Sequence, residues 1–176
     1  MKKIQIRNEY ILLILRVLMI FIILSFVVTR FVFRTVRIEG ESMEPTLKNE
    51  AYALSNRLAA RLGSINRFDL VVIANVEMDL VVKRIIALPD ETVSYQDGKL
   101  YINGEWYEEP FLNAEYIASH TMNNAFSFTR DFGAITLGED EYFVLGDNRL
   151  ISKDSRSFGA VSKKDIIAKD ILVVSP

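Results

Sequence analysis

A serine in the segment IEGESMEPTL, residues 38 to 47, is the first candidate for chemistry. Ser42 lies between a glycine and a proline, directly after a predicted strand, which is typical of a loop. A serine hydroxyl attacks peptide bonds only when a neutral base accepts its proton. Most loop serines have no such base and serve only in turns. Ser42 therefore requires a partner from elsewhere in the chain.

A lysine in the segment VVKRIIALPDE, residues 81 to 91, is a candidate for that partner. Lys83 and Arg84 interrupt an otherwise apolar strand, which is costly unless their charges are exposed, paired or removed. Strand alternation puts the two side chains on opposite faces and does not say which one is buried. Lysine is the better candidate for the buried base, because it can lose its proton when desolvated whereas arginine stays charged. The alternative is that both cover a solvated face.

The third cluster is LGDNRLISKDSRSFG, residues 145 to 159, which follows the apolar strand EYFVL. A solvated turn is the ordinary interpretation of such a polar loop. The preceding strand places this loop at the edge of the core, where polar side chains can line a site. Its polar residues are Asp147, Asn148, Arg149, Ser152, Asp154, Ser155 and Arg156.

In this order, and behind an apolar N-terminal segment, the three clusters resemble the type I signal peptidase family in its short, single-span Gram-positive form. The resemblance covers most of the chain. It implies a mostly β, antiparallel Ser-Lys peptidase domain with an N-terminal transmembrane helix. The matching motifs are SMEPT at 42 to 46, RFDLVV at 67 to 72, VKRII at 82 to 86 and GDNRxxSxDSRxxG at 146 to 159.

The resemblance assigns roles by position. It implies that Ser42 is the nucleophile and Lys83 the general base of a membrane-bound endopeptidase that cuts signal peptides from exported pre-proteins. Ser152 matches the family serine whose hydroxyl hydrogen-bonds the lysine. Asp154 and Arg156 match a pair that shapes the site. The implied substrate is extended, with small residues at the first and third positions before the cut.

Two positions depart from the family pattern. The family's oxyanion hole combines the nucleophile's own N–H with a group two residues earlier, where this chain has Gly40 and hence no hydroxyl. Backbone or water would have to complete the hole. The family's G-L-P-G-D turn after the lysine strand is ALPDE at residues 87 to 91, without either glycine. The geometry of that turn is therefore open.

Composition excludes several other chemistries. The chain has 176 residues, half of them hydrophobic, which suffices for one domain with a core. It has no cysteine and only one histidine, His120, so thiol nucleophiles and the usual cysteine-based zinc sites are excluded and no metal or cofactor is expected. From residue 34 onward 16 basic residues face 22 acidic ones, which argues against nucleic acid as a partner.

Residues 10 to 33 predict a transmembrane helix. Their only charges are Arg16 and Arg30, and a helix of this length reaches about 36 Å against a hydrocarbon core of about 30 Å. Both arginines lie near enough to an end to extend to the headgroups. A cleavable signal peptide and a buried core helix are the alternatives. The segment RFVFRTVRI that follows lacks a small-residue cleavage site, which favours a retained membrane anchor.

This anchor divides the chain into a cytoplasmic N-terminus at 1 to 9, the span at 10 to 33 and a catalytic domain at 34 to 176. The positive charges are balanced, with Lys2, Lys3 and Arg7 before the span and Arg30, Arg34 and Arg37 at its other end. The positive-inside rule therefore does not orient the protein. The resemblance implies a single-pass protein of the cell membrane with its catalytic domain on the extracellular face.

The elements that position the candidate residues are mostly strands. Apolar runs predict strands at 67 to 74, 80 to 86, 141 to 145 and 168 to 174. Between residues 91 and 107, Asp97-Gly98 and Asn103-Gly104 are hairpin signals and predict a β-meander. A short helix is predicted at 55 to 62, and 111 to 134 has no clear pattern.

Two other functions fit parts of the pattern. A self-cleaving repressor shares the Ser-Lys chemistry, but it would need a DNA-binding helix pair where this chain has an apolar span. A signal-peptidase-like assembly partner for surface fibres, without catalysis, is the second alternative, and the presence of both Ser42 and Lys83 argues against it. The sequence predicts neither the oligomeric state nor the particular exported proteins that are cut.

Overall fold

The computed structural model describes residues 2–75, 79–121 and 127–175. Four α-helices, a 3-10 helix and eleven strands lie in these ranges. In chain order they are α1 (Lys2–Phe31), β1 (Phe33–Arg37), β2 (Tyr52–Asn56), α2 (Arg57–Leu62), β3 (Leu70–Asn75), β4 (Asp79–Ala87), β5 (Thr92–Gln96), β6 (Lys99–Ile102), β7 (Glu105–Tyr107), α3 (Ala114–Thr121), β8 (Phe132–Thr136), β9 (Glu141–Leu145), α4 (Ser155–Phe158), β10 (Val161–Ser162), the 3-10 helix Lys163–Asp165 and β11 (Ile166–Ser175).

The N-terminal helix α1 contains one segment, Glu9–Thr29, that is long and apolar enough to cross a membrane. Its large apolar side chains are exposed, so packing against the rest of the described protein does not explain its composition. The helix ends at Phe31, two residues before the predicted end of the span at residue 33. Phe33 instead begins β1 and pairs with Asn56.

The strands form two antiparallel sheets, which confirms the predicted mostly β, antiparallel fold. The larger sheet has seven strands in the order β1-β2-β11-β3-β4-β9-β10, and the smaller has four in the order β7-β6-β5-β8. The C-terminal strand β11 lies between β2 and β3. It therefore connects β2, which follows the loop of Ser42, to β3 and β4, the second of which carries Lys83.

One row of paired residues crosses the larger sheet from the end of α1 to Lys83. Phe33 pairs with Asn56, Asn56 with Lys169, Lys169 with Val71, and Val71 with Lys83. Neighbouring strands are about 4.8 Å apart, so Lys83 lies about 19 Å from the start of β1 along this row.

The predicted β-meander is confirmed. Strands β5, β6 and β7 are joined by turns at Asp97-Gly98 and Asn103-Gly104, and all four residues have positive φ. This conformation matches the right-handed twist of the flanking strands and suits asparagine, aspartate and glycine. The second turn is fastened by Thr92, whose backbone N–H donates to the side chain of Asn103 at 2.8 Å.

Of the other predicted elements, the strand at 141 to 145 has the predicted bounds as β9, and the rest are present with shifted ends. The predicted helix at 55 to 62 begins later, because Asn56 caps α2 by accepting from the backbone N–H of Ala59. Strand β3 begins at Leu70 and not at 67, because Phe68 has a positive φ of 71° that is incompatible with a strand. The stretch 111 to 134, which had no clear pattern, contains α3 and the start of β8, while 122 to 126 lie outside the described residues.

The loop between β1 and β2 is held by two buried apolar side chains. Met43, directly after Ser42, is 1% exposed and Leu47 is 2% exposed. Both pack in a core cluster with Val72 and Val82 from strands β3 and β4. Burial of each side chain contributes about 1.5 to 3 kcal/mol, so the conformation of the nucleophile loop is fixed by the core.

The turn that lacks the family's glycines is built differently at two positions. Asp90 adopts the left-handed conformation, with φ of 63°, that glycine would adopt most easily. Glu91 accepts a hydrogen bond from the backbone N–H of Leu88 at 2.7 Å and forms a bidentate ion pair with Arg67 at 2.6 and 2.9 Å. These contacts close the turn without glycine.

We expect Asp90→Gly to keep or slightly raise the stability of the protein, whereas Asp90→Val should lower it by about 1 to 2 kcal/mol. A β-branched side chain is strained at this positive φ, while aspartate tolerates it and glycine favours it. Chemical unfolding of the two variants beside the parent measures the difference. Equal stability of the glycine and valine variants would contradict a left-handed residue 90.

Candidate active site

The structure brings together Ser42, in the loop between β1 and β2, and Lys83 of β4. The Lys83 ammonium nitrogen Nζ donates a hydrogen bond to Ser42 Oγ at 2.8 Å. Lys83 lies on β4 and is only 2% exposed. A nucleophile and a candidate base within hydrogen-bond reach are the first geometric requirement for covalent catalysis.

Burial tunes Lys83 toward the role of a base. The pKa of Lys83 is lowered from 10.5 to about 8, mainly because burial desolvates its ammonium group. The charge of Asp154 opposes this shift, the charge of Arg156 adds to it, and the charge of Asp147 opposes it more weakly. A lysine with a pKa of about 8 is neutral in about one molecule in ten at pH 7, whereas an ordinary lysine is neutral in about one in 2,500. The site therefore supplies a usable fraction of the proton acceptor.

Backbone contacts fix the nucleophile loop from a second side. The backbone N–H of Asn148 donates to the carbonyl oxygen of Ser42 at 3.1 Å. The backbone N–H of Ser42 itself has no acceptor among the described residues, as a group reserved for an oxyanion would require. The backbone N–H of Gly40 already donates to the Asn49 side chain at 2.8 Å. Gly40 can therefore donate to an oxyanion only if that bond opens.

Sequence reasoning missed a buried ion pair next to the dyad. Arg84 is 7% exposed and forms a bidentate pair with Asp147 at 2.8 and 2.6 Å, while Thr46 Oγ1 donates to the same carboxylate at 2.5 Å. Both lysine and arginine of β4 are thus buried, whereas the sequence favoured only one. In the sequence, the signal for this ion pair was Asp147 of the GDN motif, whose partner Arg84 lies 63 residues earlier in the chain.

The pair Asp154 and Arg156 braces the loop that follows β9. Asp154 is fully buried and accepts from both Nε and an Nη of Arg156 at 2.8 Å. It also accepts from the backbone N–H of Gly146 at 3.1 Å and caps α4. Arg156 in turn donates to the carbonyl oxygen of Arg149 at 2.9 Å. The pair therefore joins both ends of this loop.

Ser152 lies against Gly146, but the hydrogen bond between its hydroxyl and Lys83, which the family resemblance implies, is not formed. A Cβ on Gly146 would lie 2.2 Å from Ser152 Oγ and 2.4 Å from the carbonyl oxygen of Ser42, so only glycine fits between the two serines. Ser152 Oγ is buried and has no hydrogen-bond partner in the described protein. An orphaned hydroxyl is costly to bury, so it is available to bind the Lys83 amine. That role of Ser152 stays a prediction.

Arg149 ties the site to the smaller sheet. It is 2% exposed and donates to the carbonyl oxygen of Gly146, to Tyr95 of β5 and to Glu109. The loop of residues 146 to 156 is thus anchored in both sheets.

The only histidine of the chain, His120, lies on the exposed helix α3, where its ring stacks on Tyr116 at a centroid distance of 4.0 Å.

We expect Asp154→Asn to keep partial activity, to lower the free energy of unfolding by about 3 kcal/mol and to move the lysine's titration to lower pH. The substitution leaves Arg156 without its buried carboxylate, and removing one partner of such a pair is strongly destabilising. It also removes the charge that raises the pKa of Lys83 most. Thermal unfolding and the pH dependence of kcat/KM measure the two effects. Lost activity with unchanged melting would indicate a direct chemical role instead.

Comparisons with known proteins identify the family of this chain. A family model described as signal peptidase, peptidase S26, matches residues 9 to 175. The chain belongs to the peptidase S26 family. This assignment covers the apolar helix, both sheets and all three clusters of polar residues, and it confirms the family that the sequence motifs indicated.

Individual S26 relatives cover nearly the whole chain. Signal peptidase I V of Bacillus subtilis is 36% identical over 148 residues, which are 83% of this chain and 88% of that protein. Signal peptidase IB of Staphylococcus aureus is 33% identical over 171 residues, 93% of this chain and 88% of its own length. A crystal structure of a signal peptidase I from Enterococcus faecalis superimposes with a TM-score of 0.52 at 37% identity, covering 60% of this chain and 96% of that one.

Proposed function

We propose that this chain is a serine endopeptidase that removes N-terminal signal peptides from exported pre-proteins, with Ser42 as the nucleophile and Lys83 as the general base. The observation that carries the proposal is the 2.8 Å hydrogen bond from a buried lysine of lowered pKa to a loop serine. S26 relatives of similar length bear the name signal peptidase, which supports this substrate class.

The reaction follows from this geometry. Neutral Lys83 accepts the proton of Ser42 as Oγ attacks the carbonyl carbon of the scissile bond. The backbone N–H of Ser42 donates to the oxyanion that forms. Protonated Lys83 then gives its proton to the leaving amine, and an acyl-enzyme remains. Water attacks the ester, again with Lys83 as the base, and the signal peptide leaves with a new carboxylate.

Ser152, Asp154 and Arg156 act on the dyad without exchanging protons with the substrate. Ser152 orients the Lys83 amine without adding charge, as the third member of a triad usually does. The Asp154–Arg156 pair holds the loop that carries Ser152 and balances the charges near the lysine. The net effect of burial and of the neighbouring charges is a Lys83 pKa of about 8.

The position of the dyad suits a substrate held in a membrane. Lys83 lies on the same row of the sheet as Phe33, two residues after the end of α1. A signal peptide spanning the same bilayer beside α1 would present its emerging end at this level. We place the protein in the cell membrane with a single span, a short cytoplasmic N-terminus and the catalytic domain on the extracellular face, where exported chains emerge.

The alternative of a non-catalytic assembly partner receives no support. A scaffold has no use for a buried lysine bonded to a serine, because burial of its charge lowers stability. The relatives described above are named as peptidases.

The test is cleavage of a pre-protein by the purified chain in bilayers, with N-terminal sequencing of the product. We expect one cut, after a segment with small residues at the first and third positions before it.

Deletion of residues 1 to 33 should leave a folded domain that cuts a soluble peptide as before but cuts the bilayer-embedded pre-protein less well, because the anchor supplies effective concentration. Equal loss on both substrates would contradict a separable anchor, and no cleavage by the full chain would contradict the function.

A further inference from the structure

The short helix α2 exposes two leucines that no protein contact explains. Leu62 is 79% exposed, more than any other large apolar side chain of the described residues, and Leu58 is 46% exposed. They are four residues apart and therefore lie on one face of the helix. Exposed apolar side chains that cluster in this way mark an interaction surface.

The leucine face points away from the protein. Successive residues of an α-helix are rotated by about 100°, so Ala60 lies about 160° from Leu58 and from Leu62 around the helix axis. Ala60 is 4% exposed and packs in a core cluster with Ile166 of β11. Because Ala60 faces the core, the two leucines face outward.

The start of α2 is fixed at the end of the membrane-spanning segment. The backbone N–H of Arg57 donates to the carbonyl oxygen of Val32 at 2.8 Å. Val32 comes three residues after Thr29, where the apolar segment of α1 ends. If α1 spans a membrane, α2 must lie at the level of the lipid headgroups, whichever way the protein is oriented.

The charge of α2 fits an anionic lipid surface. Its sequence, RLAARL, contains Arg57 and Arg61 and no acidic residue. Even with these two arginines counted, the domain from residue 34 onward is acidic, with 16 basic against 22 acidic residues. The arginines therefore form a local positive site where a basic residue near an anionic membrane gains about 1 kcal/mol of attraction.

We propose that α2 is an interfacial helix that docks the catalytic domain on the bilayer. Leu58 and Leu62 insert at the boundary between headgroups and acyl chains, and Arg57 and Arg61 contact lipid phosphates. Together with α1 this second contact fixes the height and tilt of the dyad above the membrane. The inference rests on the proposed function only in that α1 spans a membrane.

The chain has no cysteine, so one introduced cysteine can be labelled without background. Leu62→Cys carrying a fluorophore, in full-length protein reconstituted in vesicles of phosphatidylcholine with about one-third phosphatidylglycerol, should be quenched by lipids with nitroxide near the headgroup. Lys99→Cys is the control, since Lys99 is exposed on β6 of the smaller sheet, which does not include the strand that follows α1. Equal quenching at both positions, or none at Leu62, would overturn the proposal, as would contact of this face with a second copy of the chain in place of lipid.

An activity test separates this inference from the proposed function. The double variant Leu58→Ser with Leu62→Ser should lose about tenfold in kcat/KM on a bilayer-embedded pre-protein while a soluble peptide is cut as before. Ile135→Ser, at an exposed apolar position of the smaller sheet, is the matched control and should change neither. Unchanged cleavage of both substrates by the double variant would overturn the interfacial role and leave the peptidase function standing. Failure of the parent on the peptide would instead contradict the peptidase function.

Discussion

Replacing Ser42 or Lys83 by alanine is expected to reduce kcat/KM by at least about 10³-fold, and the double variant should be no worse than either single one. In the proposed mechanism the serine forms the acyl-enzyme and the lysine takes its proton, so removal of either group stops the same step. Cleavage of a soluble peptide by the four proteins measures the effect, and circular dichroism shows that each is folded.

Two controls make the result specific. Ser64→Ala removes the hydroxyl of an exposed serine between α2 and β3, and Lys99→Ala removes an exposed amine on β6. Both should cut at the parent rate. Appreciable turnover by Ser42→Ala would remove Ser42 from the nucleophile's role, and additive losses in the double variant would show that the two residues act separately.

Local features of the fold could be predicted because their causes are local. The two hairpin turns at Asp97-Gly98 and Asn103-Gly104 were read from adjacent residues that tolerate positive φ. Helix α1 was read from a continuous apolar run. The order of the larger sheet could not be read in this way, because β11 inserts between β2 and β3 from more than 90 residues along the chain. Such pairing depends on long-range packing that no short window contains.

The candidate site was likewise only partly predictable from the sequence. Ser42 and Lys83 were found because their motifs resemble a family, and the structure places them in contact. Alternation along β4 left open whether Lys83 or Arg84 is buried. Both are, because the loop after β9 covers the second face and brings Asp147 to the guanidinium. A buried charge is tolerated where a partner exists, and that partner is visible only in three dimensions.

The second large effect expected is a steep rise of kcat/KM with pH. The pKa of Lys83 is lowered to about 8, and only the neutral amine accepts the serine's proton. The neutral fraction grows about 50-fold from pH 6 to pH 8, so kcat/KM should grow by a similar factor and level off above pH 8. A histidine base would level off near pH 6.5. His120→Ala should leave the profile unchanged, and loss of activity in that variant would point to a histidine-dependent mechanism.

The same titration should appear in stability, measured without any substrate. The pKa of Lys83 is about 8 in the folded protein against 10.5 for an ordinary lysine, so between these values the unfolded chain binds more protons. Its contribution to the free energy of unfolding therefore rises with pH across this window, by about 3 kcal/mol, and below pH 8 the buried ammonium costs that amount. Lys83→Met removes the cost, so this variant should be inactive, more stable than the parent at pH 7, and without this part of the pH dependence. A methionine variant that is less stable at pH 7 would show that Lys83 is held as a paired cation, which could not serve as the base.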